Sequence, residues 1–570
     1  MSLSNSPAVA PLTLAPLTLA VVRHRMKAVT EEMVETMTRT CFSPILNQSQ
    51  DFSAVILDSS FQTVSQAERV PIHMGAMPRA VRMMAKAFDG DLADGDVLMA
   101  NDPYWGGSHL PDVTLAMPFF TDGEIRLWVA LRAHQGDIGG LSAGGYSAAA
   151  REIWHEGLRI PPLKLVAGGT LRDDLLRLVA ENSRKPDDLR GDLLAQLSAV
   201  RIGATRLAEL FARYGRGEIA GAVEAILDGG EAVMRTLLAG CRAGVHRGLS
   251  HMEFADAPGG LLPIPVSLTI DGGRAVVDLT GCPDQVRAFI NSPYANSCAA
   301  VMVAFLYFSG DEEGLNGGSA RALDIRTRPG SLVDPVMPAP VGACTSSTAC
   351  ALIEAVLNAL EGADPDRAIG SFARRFRFAL AGATDDGTPF IWHHFLNKGG
   401  TGGNRDHDGW PNIGGLHNPG GTAAPSVERT EASHPLFVEE YALLPDSGGA
   451  GERRGGLGGR LVLRYDGREP AVLNASGEGV LVPPTGTQGG EAGPGHRYAL
   501  LPPDGAARPI AVHDSGVRVE PGARILCLSA GGGGFGDPRR RPRALVERDV
   551  AYGYVSAEAA RDVYGLGTDA

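Results

Sequence analysis

The chain has 570 residues, too many for one ordinary core, and its 44% hydrophobic and 21% charged residues are the balance of a globular protein with ample apolar material to bury. A net charge of −13 leaves no basic excess to neutralise phosphates, which excludes nucleic acid as the main partner; the one basic cluster, "PRRRPR" at Pro538–Arg543, reads as solvated surface. Seven scattered cysteines with no C-x-x-C pair exclude a zinc knuckle or a dithiol redox motif and fit small buried hydrophobes in a reducing cytoplasm.

Taken in chain order, the N-terminal stretch "MSLSNSPAVAPLTLAPLTLAVVRHRM" is apolar, but prolines interrupt it and its positive charge follows the apolar part. Both features oppose a secretory signal, and no apolar run approaches the roughly eighteen residues of a membrane span. From about Leu19 to Thr40, Val22, Met26, Val29, Met33 and Met37 recur at helical spacing, and Pro44 bars continuation. "FSAVILDS" reads as a strand and "HMGAMPRAVRMMAKAF" as a helix starting near Met77. "GDVLMAND" and "RLWVALRAH" are strand-like. Residues from about Leu171 to Gly248 carry helical periodicity and many charges, which predicts helices packed as hairpins. "LPIPVSLTI" and "RAVVDLTG" flank the turn "DGG" as a hairpin; "SCAAVMVAFLYFS" and "ACALIEAVLNAL" read as buried helices. Glycine-rich turns with short strands dominate from Gly399, and the chain closes on a helical pair with Ser556 as a cap. Strands and helices in blocks predict an α+β class, divided as an α+β region over 12–170, a helical segment over 171–250, a second α+β region over 251–395 and a glycine-rich β region over 396–570.

The densest run of unusual residues is "NDPYWGGSHLPD". Pro111 places His109 and Asp112 on a loop feeding the strand "VTLAMPFF". His134 and Asp137 repeat the same spacing after the next strand, and "TDGEI" is a plausible hairpin turn between the two. Two imidazoles and one or two carboxylates brought together would suit a divalent metal with open positions. Taken singly, His-x-x-Asp is more often a turn with a surface residue. His73 stands just before the expected helix start, where it could donate a proton, add a ligand, or only touch the helix end. Asp51 could pair with it or position water.

Other candidates are weaker. "DHDG" at Asp406–Gly409 lacks the remaining acids of a calcium loop. "AGGGGFGDP" lacks the Lys-Ser/Thr ending of a phosphate loop and reads as a structural turn at a subunit contact. The adjacent histidines of "WHHF" point to opposite faces of a strand. Ser142 in "GLSAG" has neither the strand before it nor the helix after it that a nucleophile elbow needs.

Together, "DFSAVILD", "VPIHMGAMP", "GDVLMANDPYWGGSHLPDVTLAMPFF", "LRAHQGDIGG", "EIWHEGLRIPPLKL", "LLPDSGGAGERRGGLGG" and "AGGGGFGDPRRRPRALVERDVAYGYVSAEAARDVYG" resemble the hydantoinase B family, in order from about Leu12 to Gly565. That family includes B subunits of ATP-dependent hydantoinases and lactamases, the C-terminal half of 5-oxoprolinase and the α subunit of acetone carboxylase. The resemblance implies that an A-type subunit of the actin/hexokinase-like ATPase superfamily binds ATP and phosphorylates the substrate's carbonyl or enol oxygen. This chain would then act with a metal, Zn or Mn, in a cytoplasmic hetero-oligomer such as α2β2. Matched by position, the ligands would be His109, Asp112 and His134, with Asp137 a fourth ligand or a carboxylate that orients them. The expected substrate is a small cyclic amide. A ketone carboxylase, whose corresponding subunit is longer, and a non-catalytic stabilising partner are the alternatives. "GACTSSTAC" (Gly342–Cys350) replaces the "GNVETSQ" of many relatives, and "HHFLNKGGTGGNRDHDGW" departs from the usual pattern with His393, His394, Lys398, Arg405 and His407, so the particular ring does not carry over.

Two outcomes are expected on this basis. The purified chain alone should show no ATP turnover; turnover by a partner-free preparation would sink the division of labour. Charge changes in the helical segment, such as Arg184→Ala, should leave metal content unchanged and shift stability by less than about 0.5 kcal/mol.

Overall fold

The computed structural model describes residues 15–67, 69–310, 315–417 and 423–567; the N-terminal stretch through Leu14 lies outside them. Helix α1 (Pro16–Thr40) buries the predicted stripe of Val22, Met26, Val29, Met33 and Met37, and a single turn, α2 (Pro44–Asn47), follows it. A seven-stranded sheet comes next, in the order β2-β1-β5-β4-β3-β6-β7. Its strands are β1 (Phe52–Asp58), β2 (Thr63–Ala67), β3 (Val97–Ala100), β4 (Asp112–Thr121), β5 (Glu124–His134), β6 (Leu163–Ala167) and β7 (Thr170–Leu171). Both faces of the sheet are covered. Ala54 and Ile56 share a core with α1 and the long helix described below, whereas Val55 and Leu57 pack with Met77, Val81 and Met84 of α3 (Pro71–Ala87). A strand buried on both sides loses the polar alternation of a half-exposed one, which is why "FSAVILD" is apolar almost throughout.

Helix α3 begins at Pro71, earlier than the expected start near Met77. Pro78 has the look of a helix-initiating proline, but the helix runs through it and Pro71 occupies the first turn instead. His73 therefore sits in the first helical turn. The helical segment also differs from its expected form. After α4 (Asp173–Ala180), α5 (Pro186–Ala239) is one long run, broken only at Gly215, whose φ of 76° and ψ of 163° are not helical. Its Leu193, Leu197, Val200 and Leu207 pack into the first core; Met234 and Leu238, near its end, belong to a second.

The second core lies between a four-stranded sheet, β8 (Gly244–Glu253), β9 (Leu261–Asp271), β10 (Arg274–Asp278) and β11 (Leu323–Arg326), and two apolar helices, α6 (Tyr294–Ser309) and α7 (Ala349–Ala363). A Cβ on Gly75 of α3 would stand 2.6 Å from the Ala299 Cβ of α6, so glycine permits the close crossing that joins the two parts.

The remaining chain is β-rich. It holds β12 (Phe376–Ala383), β13 (Pro389–His393), α8 (Val427–Ser433), β14 (Leu436–Leu443), β15 (Gly459–Tyr465), β16 (Ala471–Gly477), β17 (Arg497–Leu501), β18 (Arg508–Pro509), β19 (Val517–Val519) and β20 (Arg524–Leu528). These strands form two sheets, β13-β12-β16-β19 and β14-β15-β20-β17-β18. Since β12, the partner of β13, also pairs with β16, the expected boundary at 395 would cut through a sheet. Helices α9 (Arg543–Ala551) and α10 (Ala557–Asp562) close the chain, with the Ser556 hydroxyl accepting from Ala559 N. The class is α+β, and among the described residues no helix is long and apolar enough to cross a membrane.

Among the described residues the glycine-rich segments pack against one another. They run backbone to backbone: Gly449 N donates to Gly532 O, Gly532 N to Gly456 O, Gly403 N to Gly533 O, Gly533 N to Ser371 O and Gly534 N to Glu491 O, all at 2.8–2.9 Å. A Cβ on Gly531, Gly532, Gly533 or Gly534 would collide with the carbonyl oxygens of Ser447, Thr401, Thr485 and Ala450 in turn. The amides of "AGGGGFGDP" are thereby consumed by neighbouring chain and do not form a phosphate cradle.

His394 and His496 are buried in this region and His513 half-buried, and burial pulls their imidazoles down to about 3, 4 and 4. His394 lies flat on Phe378 with neither ring nitrogen hydrogen-bonded among the described residues. A folded-state value below the unfolded one means stability that is complete above pH 6.5 and lost as pH falls, because the unfolded chain takes up protons first. Between pH 6.5 and 5.5 each should cost about 1 kcal/mol. Urea denaturation midpoints should therefore fall clearly over that interval; equal midpoints would contradict neutral burial.

Candidate metal centre and active site

The hairpin of β4 and β5 turns at Asp122 and Gly123, both at positive φ, and its register sets Asp112 directly opposite His134. His109 reaches the same point from the preceding loop, where Asp112 N donates to His109 O at 3.0 Å and Gln135 N to Pro111 O at 2.8 Å. His109 Nδ1 is 2.9 Å from Asp112 Oδ2, and His134 Nδ1 is 3.4 Å from Asp112 Oδ1. One donor atom from each of the three lies within 4.8 Å of the others. From α3, His73 Nε2 stands 3.4 Å from Asp112 Oδ1 and 3.7 Å from Asp51 Oδ1. Asp51 precedes β1, and its carbonyl accepts from His134 N at 3.0 Å. The structure thus brings together five of the six residues singled out from sequence, all buried.

The local sequence holds this arrangement from several sides. The Asn101 amide donates to Leu110 O at 2.7 Å and to Leu158 O at 2.9 Å, and its oxygen accepts from Ile160 N, pinning both ends of the "NDPYWGGSHLPD" loop. Ser108 donates its hydroxyl to Asp112 Oδ2, and buried Arg132 binds Ser108 at 3.3 Å and Thr114 at 2.9 Å. From α5, Gln196 donates to Val113 O at 2.9 Å and Leu131 O at 2.8 Å. The helical segment therefore stays out of the cluster, as expected, yet braces the two strands that carry it.

Asp137, the sixth residue, lies elsewhere. Its carboxylate accepts from Gly139 N at 3.0 Å, Gly144 N at 3.2 Å and Arg184 N at 2.9 Å, and pairs with Arg184 Nη1 at 3.0 Å. With both oxygens taken, it is not positioned as a fourth ligand, and it contacts none of the three candidate ligands. Arg184 in turn is the partner of a fully buried carboxylate, so the expectation of a neutral Arg184→Ala does not fit the structure. "DHDG" resolves likewise: Asp408 accepts from Arg454 N and pairs with Arg541 at 2.6 Å.

The charges in the cluster are those a cation requires. Burial pushes the Asp112 carboxyl up, but the imidazoles of His109 and His73 outweigh it and hold the group well below the usual carboxylate range. Burial pulls His109 and His73 down, against the opposing pull of Asp112. An ionised Asp112 beside neutral His109 and His73 is the protonation state in which such groups bind metal. His73 Nδ1, His134 Nε2 and Asp112 Oδ1 are buried with no hydrogen-bond partner among the described residues. Buried polar atoms are rarely left so, and lone pairs without donors suit a cation. Two nitrogens and a carboxylate oxygen fit Zn or Mn equally well.

The facing wall of the cavity comes from the C-terminal half. Gly342, Thr345 and Ser346 of the divergent "GACTSSTAC" stretch line it with Tyr146, Arg377 and His417. His393 stands behind, its Nε2 3.1 Å from Gly144 O and its ring 6.5 Å from that of His134. Arg375, Arg377, His417 and Tyr146 escaped the sequence reading. The available signal was "RRFRF", where a period of two sets Arg375 and Arg377 on one face and Phe376 and Phe378 on the other.

Comparison with known proteins gives four further findings. The family model described as hydantoinase B/oxoprolinase matches residues 15–538. Caprolactamase subunit beta of Pseudomonas jessenii is 35% identical, over 98% of this chain and 97% of its own. The crystal structure of the ATP-dependent caprolactamase from Pseudomonas jessenii superposes with a TM-score of 0.91 at 33% identity, over 98% of this chain and 97% of that one. A nucleotide-free acetone carboxylase shares the fold, with a TM-score of 0.88 at 20% identity over 96% of this chain and 79% of that one.

His109→Ala and His134→Ala should each empty most of the bound metal, and Asp112→Asn should weaken binding strongly; elemental analysis of the purified variants decides it. Near-stoichiometric metal in both histidine variants would remove the ligand assignment. Asp137→Asn and Arg184→Ala should keep their metal but lose about 1–3 kcal/mol in urea denaturation, because each disturbs the bonds that satisfy the buried Asp137 side chain.

Proposed function

Since this chain belongs to the hydantoinase B/oxoprolinase family, we propose that it is the metal-dependent subunit of an ATP-dependent cyclic-amide hydrolase. Its substrate would be a hydantoin, 5-oxoproline or another lactam whose carbonyl oxygen an A-type ATPase subunit has phosphorylated. The observation that carries this reading is the buried set of neutral His109, neutral His73, ionised Asp112 and facing His134, with donor atoms left unpartnered. An amide resists water because its nitrogen lone pair is delocalised into the carbonyl. Phosphorylating the oxygen removes that resistance and leaves the second subunit to deliver water.

His109, Asp112 and His134 would hold the divalent ion, Zn or Mn, which supplies Lewis-acid polarisation and water activation when bound. His73 is placed to move the proton. Its Nε2 faces the carboxylates of Asp112 and Asp51, and burial keeps the ring neutral and able to accept. Asp51 orients His73 and can stabilise the imidazolium that forms. The first-turn position on α3 fixes the ring against the cluster. Asp137 takes no chemical part and is a positioning residue that ties the Gly144 loop to Arg184. ATP belongs to the partner, in an assembly such as α2β2; the name of the Pseudomonas jessenii relative, a subunit beta, supports a partner subunit. Seven unpaired cysteines are in keeping with a cytoplasmic setting.

The test is to co-purify the chain with its ATPase partner and offer hydantoin, 5-oxoproline and caprolactam with ATP, with and without bicarbonate. We expect ATP-dependent opening of at least one ring, indifferent to bicarbonate. His73→Gln should keep its metal and lose about 10²–10⁴ in turnover. Strict bicarbonate dependence would make the enzyme a carboxylase; full activity of the His73 variant would discard its proton role.

A further inference from the structure

Six arginines are buried among the described residues, and three of them have a carboxylate beside them, while Arg132 bonds Ser108 and Thr114 behind Asp112. Arg374 pairs with Glu354, and Arg454 and Arg541 with Asp549. Arg375 and Arg377 do not. Both are almost fully buried, at 5% and 6% exposure, and among the described residues neither forms an ion pair. Their bonds go instead to neutral acceptors: His417 Nε2 takes Arg375 Nη1 at 3.2 Å and Arg377 Nη2 at 2.9 Å, and the Tyr146 hydroxyl takes Arg377 Nη1 at 3.5 Å. Burial holds His417 far below its ordinary value, so it brings no charge, and its Nδ1 lies 3.2 Å from Cys350 Sγ. The Phe395 ring lies beneath both guanidiniums, at 4.7 and 5.1 Å. Arg375 Nη2 and Arg377 Nε remain buried with no acceptor.

Two buried positive charges of like sign, held in place by a ring and an imidazole and lacking an anion, are costly. Such an arrangement is stable in use only if a ligand brings the negative charge. Arg377 and His417 line the same cavity as His73, His109 and His134. Charge counting specifies the ligand. A divalent ion would balance the carboxylates of Asp51 and Asp112, which leaves the two arginine charges to be met by a dianion. Two guanidinium forks fit the oxygens of a phosphate group better than any monoanion.

We propose that Arg375 and Arg377 form the subsite for the phosphoryl group of the activated substrate, across the cavity from His109, Asp112 and His134. The proposal rests on the reading that a partner phosphorylates the substrate. It deepens that reading by giving the phosphoryl oxygens a place in this chain, so that the activated carbon is held between the arginines and the candidate ligands. Burial also pulls nearby Lys398 down to about 8, with Arg377 adding to the effect, as expected where positive charge is concentrated.

The experiment is calorimetric titration of the full-length chain with inorganic phosphate, alongside elemental analysis. Wild type should bind phosphate, and Arg375→Gln and Arg377→Gln should each weaken binding at least about tenfold with metal content unchanged. Arg377→Lys keeps the charge without the fork and should fall between, which preserves the test if a glutamine variant does not fold. Absence of phosphate binding by wild type, or wild-type affinity in the variants, would overturn the subsite. Acetate binding as tightly, with the same arginine dependence, would overturn the phosphoryl assignment in favour of a carboxylate. Arginine-dependent phosphate binding by a chain whose complex opens no cyclic amide would support the subsite and discard the proposed substrate class.

Discussion

An ionised carboxylate taken fully out of water costs several kcal/mol unless its surroundings answer its charge, and Asp112 is fully buried. Much of the first half of the molecule can be understood as that answer. Ser108 donates to one oxygen, Arg132 stands behind Ser108, and three imidazoles face the group from a loop, a strand end and a helix turn. Such a network works only if the hairpin register is fixed, since a slip of one residue would turn Asp112 to the other face of the sheet. The positive-φ turn at Asp122 and Gly123 and the Gln196 amide across the two strands both resist that slip. The same rigidity that makes the carboxylate tolerable also fixes the direction in which its oxygens point.

Much of this was legible in the sequence, and the reasons are physical. Met26, Met33 and Met37 gave α1 because a buried helix face repeats at 3.6 residues. His109, Asp112 and His134 could be placed together because two strands joined by a two-residue turn must be neighbours. Asp137 copied the spacing of Asp112 but not its fate: the chain turns away after His134, and Gly139, Gly144 and Arg184 claim the carboxylate. Pro78 misled the reading of α3, since a proline near the start and a proline within the first turns are alike in one dimension. Arg375 and Arg377 were hidden for a different reason. Charged residues alternating with apolar ones normally mark a solvent face, and only the packing of β12 against the first sheet's loops turns that face inward.

The cavity is thus assembled from parts that are distant in the chain. The β4–β5 hairpin and the loop before it supply His109, Asp112 and His134, α3 supplies His73, the turn before α7 supplies Thr345 and Ser346, and β12 supplies Arg377. The Gly342–Cys350 stretch and the segment after His393 lie outside the hairpin, so on the proposed reading ring selection and metal binding would be carried by separable pieces of sequence. That arrangement suits a family in which one scaffold meets many small substrates.

The glycine array has a consequence for how the molecule comes into being. Its strands are drawn from around Ser371, Thr401, Gly449, Thr485 and Gly533, and the last of these threads among the others. Contacts so far separated in the chain are slow to form, because loop closure must precede any gain from them. On a ribosome, the first sheet can collapse long before Gly533 has been synthesised. The β12 wall, which hydrogen-bonds into that array at its entrance through Ser371 and Ala373, cannot settle until the C-terminal residues arrive. On that order of events the histidine cluster would stand as an open half-site on the nascent protein until the enclosing half could fold over it.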